Sequence, residues 1–185
     1  IKVDRRLSTM LDYELEIAAI IGKEGSNIAA ENADDYIFGF TIMNDFSSRK
    51  VQMDEMKLNL GPAKGKDFAT SLGPYILTVD EISDKVIETR NGKQYDIDLK
   101  GFLNGKLVSH DNLKNMNWTF AQIIERISTG AHIYPGDVIG SGTCATGCLY
   151  ELNSQSNKEN YWLQDGDFIE IKADDLGILR NSIEI

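Results

Sequence analysis

The chain has 185 residues, of which 42% are hydrophobic and 26% are charged, a composition typical of one globular domain. Its formal net charge is −10 at pH 7 and no basic cluster offsets this charge, so neither nucleic acid nor an anionic membrane is an expected partner. No apolar stretch reaches transmembrane length and the first residues show no secretory signal pattern, so we expect a cytoplasmic protein. Cys144 and Cys148 have neither zinc-site nor disulfide-framework spacing, and we expect reduced thiols.

The first predicted element is a β-strand over residues 11–22, which runs into an apolar interior while carrying two carboxylates. Because side chains alternate between the faces of a strand, Glu14 and Glu16 share one face, and Leu15 with its apolar neighbours takes the other. Two carboxylates this close repel each other in a partly buried site unless a cation lies between them, and hard divalent cations prefer oxygen ligands. Taken alone, such a pair is more often a solvated strand face, so both interpretations stay open.

A short helix and a core strand are predicted next. Ser26 or Asn27 is expected to cap a helix that runs through Ala33. Residues 36–44 form a nearly continuous β-prone apolar run, which predicts a strand buried on both faces. The run ends at Asp45, so an acidic residue lies where a core strand emerges, which is a common position for a ligand.

The middle of the chain predicts a loop and two hairpins. Residues 50–60 form a polar segment without a predicted element, and residues 61–68 are too rich in glycine and charge for a regular element. We expect the latter to be a loop that presents Lys66. The Asn-Gly pairs at 91–92 and 104–105 are each flanked by alternating polar and apolar residues, which predicts a hairpin around each pair.

One clear amphipathic helix is predicted over residues 119–128, where apolar side chains recur at the spacing of a helical face. Further strands are predicted at 72–79 and after two similar turns, within 134–139 and 163–171. Few helices and many short strands predict a mostly β fold. We expect a β-rich α+β protein, a mixed β-sandwich roll with one or two short helices.

Three carboxylates are the strongest candidates for chemistry. If Asp45 converges with Glu14 and Glu16, they supply about half of an octahedral metal shell and leave positions for water and substrate. A cation held in this open way is a Lewis acid that polarises a carbonyl group and stabilises an enolate. Nearby side chains are of types that hold a carboxylate or a developing oxyanion, although each alone is more often an ordinary solvated group. They are Arg49, Gln52, Lys66 and Thr70.

Three other features each have a functional and a structural interpretation. The glycine-rich stretch 140–147 lacks the lysine of a phosphate-binding loop, which favours a backbone nest around Thr143 that holds a carboxylate or carbonyl oxygen. His110 and His132 suggest a general base, but their positions in a polar hairpin and in a connection favour exposed or structural side chains.

Together, several segments in chain order resemble the fumarylacetoacetate hydrolase family. The segments are LDYELE at 11–16, GFTIMNDFSSRKVQ at 39–52, GPAKGKDFATSLGP at 61–74, PGDVIGSGT at 135–143, WLQDGD at 162–167 and LGILRN at 176–181. The resemblance implies a β-rich roll of the fumarylacetoacetase C-terminal type that binds Mg²⁺, Mn²⁺ or Ca²⁺ and acts on 2-oxo acids or β-diketo acids. It also implies a homodimer and a small-molecule keto acid as substrate.

The resemblance assigns roles to individual positions. The implied metal ligands are Glu14, Glu16 and Asp45, with Mg²⁺ as the expected ion. The implied catalytic residues are Glu151, Lys66 and Arg49, and the expected substrate-binding residues are Gln52, Thr70 and Thr143. Glu151 resembles the glutamate that orients a catalytic histidine in true fumarylacetoacetases. In the family that histidine precedes the DYE strand, and residues 1–10 here contain none.

The chain begins at Ile1 rather than methionine. We expect residues 1–185 to be the single catalytic domain of a longer protein whose upstream segment carries the missing histidine. The expected activity is metal-dependent hydrolysis of a carbon-carbon bond in an acylpyruvate or a fumarylacetoacetate-like β-diketo acid.

Two alternatives stay open. The same metal site suits decarboxylation of oxaloacetate or dehydration of a 2-keto-3-deoxy sugar acid, because both reactions pass through a similar enolate. The second alternative belongs to another function class: a non-catalytic, calcium-stabilised binding module whose carboxylates have a structural role. Cationic and polar groups beside an open metal site favour an enzyme.

Overall fold

The structure, a computed structural model, describes residues 1–59, 61–155 and 160–185. Within these ranges the chain is rich in strands. The strands are β1 (Leu11–Asp12), β2 (Leu15–Ile21), β3 (Gly25–Ser26), β4 (Ile37–Asp45), β5 (Ser47–Ser48), β6 (Thr70–Thr78), β7 (Val86–Thr89), β8 (Gly92–Tyr95), β9 (Asp98–Leu103), β10 (Lys106–Asn112), β11 (His132–Ile133), β12 (Val138–Gly140), β13 (Phe168–Ala173) and β14 (Gly177–Ser182). The α-helices are α1 (Ala30–Ala33), α2 (Arg49–Met56), α3 (Phe120–Ser128) and α4 (Leu149–Gln155).

Two four-stranded antiparallel sheets form the body of the fold. Their strand orders are β12-β2-β4-β6 and β10-β9-β13-β14. Ile17 and Ile42 of the first sheet belong to the same buried cluster as Ile169 and Ile171 of the second. This architecture confirms the predicted β-rich fold. None of the helices in the described ranges has the length and apolar character that crossing a bilayer requires.

The two Asn-Gly hairpins are confirmed, as β7 with β8 and β9 with β10. Asn104 and Gly105 have positive φ angles of 50° and 77°, the backbone of a two-residue turn that favours these residue types. The predicted helix over 119–128 is α3. It begins with a capping box in which Thr119 and Gln122 exchange side-chain to backbone hydrogen bonds.

The described chain has two helices beyond those predicted, α2 and α4. Helix α2 has no apolar stripe, so hydrophobic periodicity does not reveal it. Its Glu55 carboxylate accepts hydrogen bonds from the successive N–H groups of Ala63, Lys64 and Gly65, at 2.7–3.1 Å. The predicted loop over 61–68 is thereby tied to α2.

The predicted cap of α1 is wrong. Ala29 precedes the helix, and no side chain caps it. Ser26 lies in β3, and Asn27 adopts a left-handed backbone with φ 50°. The Asn27 side chain instead accepts a hydrogen bond from the Gly130 N–H at 3.0 Å, because this turn packs against the end of α3.

Two predicted strands are interrupted or partly exposed. The strand expected from residue 11 breaks at Tyr13 and Glu14, because the Tyr13 N–H bonds the Asp12 side chain and the Glu14 N–H bonds the Asn44 side chain. The strand expected to be buried on both faces is β4, and its Phe38 is 51% exposed. Strands β2 and β4 pair antiparallel with Leu15 opposite Asn44, which brings the start of β2 beside the end of β4.

Candidate active site

Three carboxylates meet where β2 begins and β4 ends. Glu14 immediately precedes β2, Glu16 lies on β2, and Asp45 is the last residue of β4. One oxygen from each lies within 4.8 Å of the others. Glu14 and Glu16 are buried, and Asp45 is partly buried. The convergence that the sequence predicts is therefore present, and it lies in an environment where isolated carboxylates are unfavourable.

Lys66 lies between two of the carboxylates. Its Nζ atom is 2.6 Å from Glu14 Oε2 and 3.0 Å from Asp45 Oδ2. The loop that carries Lys66 packs tightly on α2, since a Cβ added at Gly65 would lie 2.8 Å from the backbone N of Gln52. This close approach requires glycine at position 65 and holds the ammonium group over the cluster.

Arg49 approaches the cluster from the start of α2. Its Nη1 atom is 2.8 Å from Glu14 Oε1 and donates to Gln52 Oε1 at 3.0 Å, while Nε is 2.8 Å from Asp12 Oδ2. The third nitrogen, Nη2, is buried and has no hydrogen-bond partner among the described residues. A guanidinium group that two carboxylates hold in place and whose Nη2 nitrogen has no partner is suited to orienting an additional oxygen ligand.

Asp12 is a site residue to which the sequence analysis assigned no role. It is fully buried and accepts hydrogen bonds from Arg49 Nε and from the N–H groups of Leu149 and Tyr150, which begin α4. Burial raises the pKa of Asp12 against the opposing effect of Arg49. Its position two residues before Glu14 was the available signal, because strand alternation would place it with the two glutamates.

The three carboxylates differ in how they titrate. Burial, together with the neighbouring Glu14, raises the pKa of Glu16 to about 8. Burial also raises the pKa of Asp45. At Glu14 burial acts in the same direction, but Lys66 and Arg49 together outweigh it and hold the pKa below its ordinary value. Two cations therefore compensate Glu14 and Asp45, whereas Glu16 has no ion pair within the described ranges.

This arrangement fits a divalent cation. The donor set is three carboxylates, the ligand type that Mg²⁺, Mn²⁺ and Ca²⁺ prefer. An added cation would also compensate Glu16, the one member of the cluster without a described ion pair. Glu14, Glu16 and Asp45 are thus the residues that would hold the ion.

The loop over 141–147 forms a second wall of the site. The Gly142 N–H donates to Glu16 Oε2 at 3.1 Å, and a Cβ at Gly140 would lie 2.6 Å from the same oxygen. Other N–H groups of this loop are engaged as well: those of Ser141, Cys144, Ala145, Thr146 and Gly147. In the part of the chain that the structure describes, only the N–H of Thr143 in this loop has no partner. The Thr143 backbone is therefore a free donor, and the predicted binding of a carboxylate or carbonyl oxygen there stays a prediction.

Glu151 supports this loop. It lies on α4, and its Oε2 atom accepts a hydrogen bond from the Thr146 N–H at 2.7 Å. The expected role in orienting a histidine stays a prediction. His110 is exposed and bonded to Asp98, and His132 is exposed and stacked on Tyr134. Neither histidine therefore lies at the carboxylate cluster.

The predicted substrate-binding residues lie at different distances from the carboxylate cluster. Gln52 is linked to the cluster through its hydrogen bond with Arg49. Thr143 follows Gly142, whose N–H donates to Glu16. Thr70 is exposed at the start of β6, where its backbone pairs with Asp45. Their substrate contacts remain predictions. A groove of about 610 Å³ along α3 contains none of the three carboxylates and is not part of this site.

Comparisons with known proteins identify related sequences. A family model described as "Fumarylacetoacetate (FAA) hydrolase C-terminal" matches residues 1–184. The fumarylacetoacetase of Oryza sativa subsp. japonica is 33% identical over 202 residues, covering 90% of this chain and 47% of that protein. The oxaloacetate tautomerase YisK of Bacillus subtilis is 30% identical over 186 residues, covering 99% of this chain and 55% of that protein.

A solved structure is similar over the whole chain. It is the crystal structure of a probable 2-hydroxyhepta-2,4-diene-1,7-dioate isomerase from Mycobacterium abscessus, with a TM-score of 0.80 and 28% identity. The match covers 100% of this chain and 63% of that one. The chain spans about half the length of the curated relatives named above.

Proposed function

The chain belongs to the fumarylacetoacetate hydrolase family, and from this premise we propose that it is a divalent-metal-dependent hydrolase. Its substrate is a β-diketo acid, an acylpyruvate or a fumarylacetoacetate-like compound, and the bond cleaved is a carbon-carbon bond next to a carbonyl group. The observation that carries the proposal is the buried cluster in which Lys66 bridges Glu14 and Asp45 while Glu16 has no described ion pair. Mg²⁺ on Glu14, Glu16 and Asp45 is the proposed cofactor.

Substrate binding is assigned to donors that the structure leaves free. The Thr143 N–H and hydroxyl group receive the substrate carboxylate, because the other N–H groups of that loop are engaged. Arg49 and Gln52 orient a second oxygen beside the cluster. The bound cation supplies Lewis acidity toward the 2-oxo acid group.

Rate enhancement is assigned to stabilisation of the leaving enolate. When the bond breaks, negative charge develops on an oxygen, and a group that interacts more strongly with this oxygen than with the ground state lowers the barrier. Lys66 is the ammonium group held closest to the carboxylates, and we assign this role to it. No histidine in the described ranges reaches the cluster. The described residues are therefore assigned binding, orientation and enolate stabilisation.

A second activity is favoured by one observation. The relative that matches 99% of the chain is an oxaloacetate tautomerase, and tautomerisation, decarboxylation and dehydration of 2-oxo acids pass through an enolate as hydrolysis does. We therefore retain decarboxylation of oxaloacetate, or dehydration of a 2-keto-3-deoxy sugar acid, as the alternative reaction on the same residues.

A substrate panel tests the proposal. Acylpyruvates, fumarylacetoacetate, oxaloacetate and 2-keto-3-deoxy acids are incubated with the protein and Mg²⁺ or Mn²⁺, and the loss of substrate absorbance is followed. We expect turnover of a β-diketo acid that a chelator abolishes. Turnover of oxaloacetate alone would support the alternative. A higher melting temperature with Mg²⁺ but no turnover of any keto acid would instead support a metal-stabilised binding module.

A further inference from the structure

A cavity of about 380 Å³ adjoins the Thr143 loop. Residues 141–145 form one wall, and residues 111–113 and 115–118 form another wall with Leu99 and Ile123. The first wall includes Gly142, whose N–H holds Glu16, and Thr143, whose N–H is free in the described chain. A substrate whose carboxylate is bound at Thr143 therefore has this cavity directly beside it.

The lining of the cavity combines apolar side chains with polar ones. Leu99, Leu113, Met116, Trp118 and Ile123 contribute to it. Trp118 is 61% exposed, so its indole ring is available to cover a ligand. The polar lining side chains of Asn112, Asn115 and Ser141 are hydrogen-bonded within the protein. The cavity therefore has few free polar groups and gains most from burying apolar surface of a ligand.

The charges of the lining disfavour an anionic ligand. No lysine or arginine is among the described lining residues, and the ammonium group of the nearby Lys114 is 2.9 Å from Asp96. The carboxylate in the lining is Asp111. It is engaged with the Ala145 N–H at 2.8 Å and with the Asn115 amide at 2.7 Å. A second carboxylate placed here would lose hydration without gaining a cationic partner.

We propose that this cavity is the subsite for the part of the substrate remote from the 2-oxo acid group, and that it takes a neutral, apolar acyl chain rather than one that ends in a carboxylate. This inference rests on the proposed function of the same site. It narrows the substrate class from β-diketo acids in general to acylpyruvates with a neutral alkyl or aryl tail.

Two inert 2-oxo acids test the inference by binding alone. 2-Oxohexanoate and 2-oxoadipate share a six-carbon chain and the same head group, differ in their terminal carboxylate, and lack the second keto group that cleavage requires. Calorimetry with the wild-type protein and Mg²⁺ is expected to give at least tenfold tighter binding of 2-oxohexanoate. Equal or tighter binding of 2-oxoadipate would overturn the proposal.

Two variants locate the effect in the cavity. Asn117 lines the cavity, is exposed and has no side-chain hydrogen bond among the described residues, so Asn117→Arg adds a cation without removing a contact. We expect it to reduce the preference for 2-oxohexanoate at least tenfold. Asn32→Arg adds the same charge at an exposed position on α1 and is expected to change nothing. Equal effects of the two variants would contradict the assignment.

Fluorescence reports occupancy directly. The protein has two tryptophans, Trp118 and Trp162, so a Trp162→Phe variant leaves Trp118 as the only indole. 2-Oxohexanoate is expected to change its emission with the dissociation constant found by calorimetry. An unchanged emission on saturation would overturn the subsite. Neutral-tail preference without turnover of any acylpyruvate would refute the proposed function alone, whereas turnover without the preference would refute the subsite alone.

Discussion

Two clusters of carboxylates and cations in this molecule have similar contacts and different surroundings. At the site, Glu14 is 2.6 Å from Lys66 and 2.8 Å from Arg49. On the outer face of β9 and β10, Asp98 is 2.5 Å from Lys100 and 2.6 Å from His110. The side chains of Glu14 and Arg49 are 10% and 8% exposed, whereas those of Lys100 and His110 are 37% and 55% exposed.

The difference shows that burial, rather than contact distance, separates a candidate active site from a solvated charge cluster. In the exposed cluster, Lys100 and then His110 lower the pKa of Asp98, and water solvates the charges that remain. In the buried cluster, desolvation and the neighbouring carboxylates Glu14 and Asp45 raise the pKa of Glu16 to about 8, against the opposing effect of Lys66. Of the two clusters, only the buried one has a carboxylate, Glu16, that needs an additional cation to compensate its charge when it is ionised.

The largest expected effect is that of Glu16→Gln on turnover. Glu16 has no described ion pair, so the amide preserves the fold but removes a metal ligand. We expect kcat/KM to fall at least a thousandfold, about 4 kcal/mol of barrier, and the rise in melting temperature with Mg²⁺ to disappear. Initial rates and thermal unfolding measure both. Glu24→Gln, at an exposed glutamate, is the control, and retention of full activity by Glu16→Gln would rule out the proposed metal site.

The next effect is on stability. Asp12→Ala leaves the buried Arg49 guanidinium and two N–H groups of α4 without their acceptor, and breaking a buried ion pair from one side costs about 3–5 kcal/mol. Asp98→Ala removes an exposed carboxylate of the same type and is expected to cost less than about 1 kcal/mol. Urea unfolding compares the two. Similar losses in both variants would mean that burial does not distinguish the clusters.

A smaller effect is expected from pH in the metal-free protein. The pKa of Glu16 is raised from its ordinary value of 4.5 to about 8, so the folded state binds the Glu16 proton more tightly than the unfolded state does. This contribution to stability is complete below pH 4.5 and is lost as pH rises to about 8. We expect the free energy of unfolding to fall progressively over this window.

Comparison with Glu16→Gln isolates the contribution of Glu16 ionisation to stability, because the amide does not titrate. The difference in free energy of unfolding between the two proteins, measured by urea titration at several pH values, should therefore depend on pH in this window. Mg²⁺ should flatten the dependence of the wild type. A pH-independent difference would contradict the raised pKa.

The smallest effects belong to the exposed cluster. His110→Ala and Lys100→Ala remove groups that water already solvates, and each is expected to leave the free energy of unfolding nearly unchanged. Neither should change kcat/KM. A large loss of activity in His110→Ala would show that the exposed histidine takes part in catalysis and would break the contrast between the two regions.

Much of the site could be predicted from local pattern. Strand alternation places Glu14 and Glu16 together, and the end of an apolar run marks Asp45, so the three carboxylates were named before their convergence was observed. Helix α4 and the role of Asp12 as acceptor for its first N–H groups could not be found in this way. The helix is short, and the acceptor for its first N–H groups lies 137 residues earlier in the chain. Helix α2 was missed because it has no apolar stripe.

The sequence by itself determined the features that depend on near neighbours: the alternation along β2, the Asn-Gly hairpins, the amphipathic helix α3 and the glycine-rich loops. These follow from backbone conformation and from side chains a few residues apart. Only the tertiary structure decided which charges are buried, that Lys66 lies between Glu14 and Asp45, and that the Thr143 loop has one free N–H. Burial and long-range hydrogen bonds depend on residues distant in sequence, and no local pattern encodes them.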